Sequence, residues 1–110
     1  MLRRQAADPA QRCLVAEVGG VLVGHALSRK SAEDRMELAR FYVAPERQGN
    51  RIGAALLEAA LADWPRVTVA ELEVEARNAQ AIGFYRKFGF VPVGEQMLEG
   101  ERVLLMARSL

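Results

Sequence analysis

Chemistry in this 110-residue chain is most legible between Val43 and Gly53, which read VAPERQGNRIG. An apolar, strand-like run ends at Val43, Pro45 forbids its continuation, a turn bearing Gly49 follows, and a helical pattern begins at once. A turn of this kind aims backbone N–H groups outward at a helix N-terminus, with no intrahelical acceptor and the positive end of the helix dipole behind them. The oxygens of a phosphate or diphosphate suit such a site. Arg47, Gln48 and Arg51 ring it with further donors, and a hydrogen bond to a charged group is worth about 1.5 to 3 kcal/mol. The segment contains neither G-x-x-x-x-G-K nor G-x-G-x-x-G, which disfavours nucleotide triphosphatases and dinucleotide-binding folds. Taken alone, Gly49 and Gly53 equally permit a tight strand-to-helix turn with no ligand at all.

Two carboxylates stand out as candidate bases. Strict alternation along Met36 to Val43 puts Glu37 on one face with Ala39, Phe41 and Val43, a lone acid whose desolvation would raise its pKa. Its neighbours Glu33, Asp34 and Arg35 equally allow solvation at a strand edge. Glu73 shares its face with Glu71 and Glu75, which reads as a solvated strand surface. Cys13 and His25 sit among apolar strand residues and read as packing. One cysteine and one histidine supply neither a disulfide nor a conventional zinc set, so no metal is expected. The 15 basic and 14 acidic residues are mixed along the chain, giving a net charge of +1 and no field to recruit nucleic acid or an anionic membrane. The N-terminal MLRRQAADPA lacks a leader's apolar stretch, and nowhere does an apolar run approach the roughly 18 residues of a membrane span. A single cytoplasmic domain spanning residues 1–110 is expected.

The elements that position these residues follow from periodicity. Cys13 to Val18 and Val21 to Ser28 are valine- and leucine-rich runs joined by Gly19-Gly20, a hairpin signal. Met36 to Val43 is a third strand. Helical spacing from Gly49 places Ile52, Ala55, Leu56 and Ala59 on one face and Leu57, Leu61 and Trp64 beside it, until Pro65 stops it. Val67 to Glu75 reads as a strand, and Asn78 then caps a helix whose Ala81, Phe84, Tyr85 and Phe88 recur at i, i+3, i+4 and i+7, with Gly89 as its stop. Strands around Phe90 to Met97 and Arg102 to Arg108 flank the turn at Glu99-Gly100. The result is a mixed α/β fold of order β-β-β-α-β-α-β-β.

Two segments together carry a family resemblance. Gln48-Gly-Asn-Arg51-Ile-Gly53 after a strand ending in V-x-P is similar to the Q-x-x-G-x-G/A pyrophosphate loop of the GNAT superfamily of acetyl-CoA-dependent N-acetyltransferases, with Arg51 where the family usually has glycine. The run LEVEARNAQAIGFYRKFGF, from Leu72 to Phe90, resembles that family's N-x-x-A-x-x-F-Y-x-x-x-G-F segment, and the similarity extends from about Cys13 to the C-terminus. The resemblance implies a mostly antiparallel sheet in which Met36 to Val43 and Val67 to Glu75 run parallel and splay apart, with acetyl-CoA entering the gap.

It further implies that residues 47–53 (Arg47, Gln48, Gly49, Asn50, Arg51, Ile52, Gly53) hold the diphosphate. The pantetheine arm pairs with the backbone at Phe41 and Val43, and Asn78 and Phe84 lie beside it. The implied reaction is direct attack of an amine on the thioester, with the Val43 N–H facing the oxyanion, Tyr85 as general acid, and Glu37 or Glu73 as base. A small-molecule or peptide amine is the expected acceptor. The family's first strand and helix, one wall of the acceptor cleft, are expected to be missing, with Leu2 to Ala7 a last helical turn. A homodimer would cover the exposed edge. Glu37 and Tyr85 favour an enzyme, while the missing wall favours a non-catalytic acyl-CoA-binding or interaction module.

Overall fold

The computed structural model describes residues 1–5, 9–48 and 51–110. In chain order the elements are β1 (Leu2–Gln5), β2 (Gln11–Val18), β3 (Val21–Ala32), β4 (Arg35–Val43), a 3-10 turn (Pro45–Arg47), α1 (Ile52–Ala62), β5 (Val69–Glu75), α2 (Ala79–Lys87), β6 (Val91–Leu98) and β7 (Glu101–Ser109). They form one sheet of order β1-β2-β3-β4-β5-β7-β6, antiparallel except for β4 beside β5. The hairpins at Gly19-Gly20 and Glu99-Gly100 turn with positive φ at both central residues, the geometry that matches strand twist. No helix among the described residues is long and apolar enough to cross a membrane.

β4, β5 and β6 point the same way, so α1 and α2 are crossover helices, and both pack into the same core on one face of the sheet. The core forms beneath them: Leu56, Leu57 and Leu61 of α1 and Tyr85 of α2 pack on Met36, Leu38, Ala70, Leu72 and Met106. The alternate residues of β5, Glu71, Glu73 and Glu75, face the other side, as their spacing requires.

Two features differ from the expectation. Leu27 lies opposite Arg40 but Ser28 lies opposite Leu38, so Ala39 is an extra residue in β4, a β-bulge. The bulge shifts the alternation by one residue. Phe41 and Val43 therefore join Met36 and Leu38 on the helix side, and Glu37 lies on the opposite face rather than sharing theirs. The second difference is at the N-terminus, where Leu2 to Gln5 is a strand and not a helical turn; Ala6 and Ala7 lie outside the described residues. Alternation explains it: Leu2 packs into the apolar cluster beside Ala16, while Arg3 reaches Glu17 on the same strand neighbour. The strand also satisfies backbone groups that would otherwise be left on the β2 edge.

Candidate functional site

β4 and β5 pair only from Arg35 opposite Val69 to Leu38 opposite Leu72. Pairing stops at the bulge, and the rest of each strand runs on without the other. The divergence opens a cleft of about 640 Å³ lined by the end of β4, the start of α1 and one side of α2. The backbone of Val43 faces it. Ala44 N–H donates to Val23 O at 2.7 Å, so by the alternation of an antiparallel ladder the preceding residue turns its N–H and C=O away from β3.

One end of the cleft suits an anion. Arg51 opens α1 at φ 64°, the left-handed conformation, which explains why a glycine is natural here and shows that an arginine is accommodated. Among the described residues the Arg51 side chain makes no cap bond and no acid sits in the first turn, so these N–H groups and the positive dipole end are free for an anion. Among the described residues lining the cleft, Arg51 and Lys87 are the formal cations, and no aspartate or glutamate joins them. A Cβ on Gly53 would sit 3.3 Å from two ring carbons of Phe84, so glycine lets the start of α1 approach α2 closely.

The lining beside it is aromatic. Phe41 stacks on Phe84 with centroids 5.7 Å apart, and Tyr85 meets both edge-on. α2 is held at both ends. Asn78 accepts from the Ala81 N–H at 3.1 Å as an N-cap. At the C-terminus Phe90 N–H donates to Tyr85 O and Gly89 N–H to Arg86 O, each at 3.0 Å, with Gly89 at φ 91°. This pair of bonds is a Schellman motif, and the Tyr85–Phe90 ring contact at 5.8 Å is its usual apolar companion. Tyr85 is thus fixed by its own helix end. Burial pushes its phenol up to about 12, because an ionised ring oxygen loses solvation there.

A chain of amides crosses the cleft. Gln48 donates through Nε2 to the Val43 carbonyl at 3.2 Å, and Gln80 on α2 donates through Nε2 to Gln48 Oε1 at 3.0 Å.

Of the residues singled out by sequence, Phe41, Val43, Gln48, Arg51, Gly53, Asn78, Phe84 and Tyr85 line this cleft together. Arg47 and Ile52 do not line it; Ile52 packs instead on the small cluster of Ala16, Val23 and Ala44. Gly49 and Asn50 lie outside the described residues. Glu37 and Glu73 are away from the cleft lining, on the sheet face without helices. Glu37 accepts from Arg29 Nε at 2.8 Å and Glu73 from Gln96 Nε2 at 2.8 Å. Tyr42, stacked on His25, and Gln80 also line the cleft and carried no signal in the sequence. Gln80 was open to discovery only through its position two residues after the Asn78 cap.

The sequence model of the Acetyltransferase (GNAT) family matches residues 1–90. Among curated proteins, the chain is 38% identical over 94 residues to the N-alpha-acetyltransferase RimI of Mycobacterium tuberculosis, covering 83% of this chain and 59% of that one. It is 35% identical over 86 residues to an uncharacterised N-acetyltransferase of the same organism, covering 76% and 54%. The chain therefore spans little more than half the length of the curated relatives it matches. Among solved structures, nourseothricin acetyltransferase superposes with a TM-score of 0.85 at 31% identity, over 93% of this chain and 66% of that one. With the splayed parallel pair, the bare helix terminus and this profile in agreement, the chain belongs to the acetyltransferase (GNAT) family.

Proposed function

We propose that the protein is an N-acetyltransferase that takes acetyl-CoA as donor and passes the acetyl group to a primary amine of a small molecule or peptide. The observation that carries this reading is the cleft, which brings together the N–H groups opening α1, the cations Arg51 and Lys87, and a buried phenol among aromatic rings. Acetyl-CoA when bound supplies an activated thioester. The N–H groups opening α1, with Arg51, hold its diphosphate, Arg47, Gly49, Asn50, Ile52 and Gly53 are proposed alongside them, and Gln48 lies beside the arm at Val43. The outward backbone of Phe41 and Val43 pairs with the arm as an added strand would. The Asn78 amide NH₂ is available to the arm while Oδ1 caps α2. Phe84 forms an apolar wall.

The Val43 N–H points into the gap and serves as a preorganised donor to oxygen charge developing there. Tyr85, protonated throughout the neutral range, donates to the departing thiolate. On the helix-free face Glu37, or second Glu73, takes the proton of an amine entering from that side. Two of the three relatives, one an N-alpha-acetyltransferase and one a nourseothricin acetyltransferase, keep both peptide and small-molecule amines in scope.

A second reading, an acyl-CoA-binding module without turnover, draws on one observation: both candidate bases are already hydrogen-bonded, to Arg29 and Gln96. Free-thiol release from acetyl-CoA across a panel of amines separates the two. Release that depends on an added amine supports the enzyme, and binding without release supports the module.

A further inference from the structure

The two glutamines that bridge the cleft have a fixed polarity. A carbonyl oxygen only accepts, so Gln48 must present its NH₂ to Val43, which leaves Gln48 Oε1 to accept the NH₂ of Gln80. The chain of bonds starts on β4, passes through the residue after the 3-10 turn, and ends on the first turn of α2. It joins the two walls that the splayed strands hold apart, and all three residues line the same cleft. Its anchor is the Val43 carbonyl, an acceptor that β3 does not use.

We infer that Gln80, through Gln48, forms a strap across the cleft that an incoming pantetheine arm must open. This rests on the reading of the cleft as an acyl-CoA site. The Val43 oxygen has two lone pairs and could accept from the arm as well, so the obstacle is the strap itself, which runs from β4 to α2 through the space the arm would take. Gln80 is a positioning residue: it holds Gln48 on the carbonyl and takes no part in the transfer. The strap opposes only ligands that carry an arm. Adenosine 3′-phosphate 5′-diphosphate offers the same diphosphate chemistry and leaves the Val43 carbonyl untouched.

Association of coenzyme A and of the armless nucleotide with wild type and Gln80→Ala tests this by stopped flow. Alanine keeps the helix propensity of an exposed position, so the fold is retained. One neutral hydrogen bond corresponds to about a threefold to tenfold change in rate or affinity. Gln80→Ala is expected to speed coenzyme A association by that factor and to leave the armless nucleotide unchanged. Equal coenzyme A rates in the two proteins, slower association in the variant, or the same acceleration for both ligands overturns the strap. Failure of both proteins to bind coenzyme A overturns the acyl-CoA reading itself.

Discussion

Burial raises the Tyr85 phenol from 10 to about 12, and this has consequences for both rate and stability. A phenol this weakly acidic stays protonated through the neutral range, so in the proposed reaction it is a constant donor rather than a pH switch. Tyr85→Phe is expected to lower amine-dependent thiol release by about 100-fold, the low end for loss of a general acid, with acetyl-CoA affinity unchanged. An unchanged rate would reduce Tyr85 to a packing aromatic. For stability the sign is set by proton binding. Between pH 10 and about 12 the unfolded chain has released this proton while the native chain keeps it, so native stability falls through that window. Urea midpoints of wild type and Tyr85→Phe compared from pH 9 to 12 should show a wild-type decline that the variant lacks. The position of Tyr85 in the cleft lining was legible from its place in a family motif. The opposite faces of Glu37 and Phe41 were not, because alternation is the rule available from sequence and one bulged residue, Ala39, reverses it.

The elements divide in the same way. α2 was readable from end to end, because Asn78 and Gly89 are local signals whose physics needs no tertiary context. Gly89 tests that physics. At φ 91° an alanine is strained, and loss of the Schellman turn is expected to cost about 1 to 2 kcal/mol in Gly89→Ala. It should appear as a lower urea midpoint with the same slope. Thiol release should fall as well, since the carbonyl of Tyr85 accepts one of the two bonds of that turn. Full activity in a destabilised variant would separate the turn from the site. β1 was not readable, since four residues LRRQ carry too little pattern to distinguish a strand from a helical end. The strand exists through what it touches in three dimensions. The strap of Gln48 and Gln80 was hidden for a similar reason, as the two residues lie 32 positions apart and meet only across the gap.

Across the whole molecule, one sheet separates two tasks. The helix side holds the proposed donor cleft, and the helix-free side carries Glu37, Glu71 and Glu73, where the proposed acceptor would enter. The order and type of every strand and helix from Gln11 onward follow from hydrophobic period and turn residues, whereas the splay depends on where pairing ends. β1 is tied to the far end of α1 through Arg4, which donates from Nε to Asp63 Oδ1 at 3.1 Å, and the Asp63 side chain is only 3% exposed. Arg4→Ala leaves that carboxylate buried without its cation. The expected results are a lower melting temperature and faster amide exchange along β1 and β2, with no change in acetyl-CoA affinity. Unaltered exchange would mean that Leu2 alone holds the edge strand.

The central claim is that the gap between β4 and β5 binds acetyl-CoA. Calorimetric titration of the chain with acetyl-CoA, with hydrogen exchange recorded on the saturated sample, tests it most directly. The account requires saturable one-to-one binding, with new protection at Phe41 and Val43, the first turn of α1 and the N-terminal half of α2. Absence of binding, or protection confined to other parts of the sheet, would contradict it.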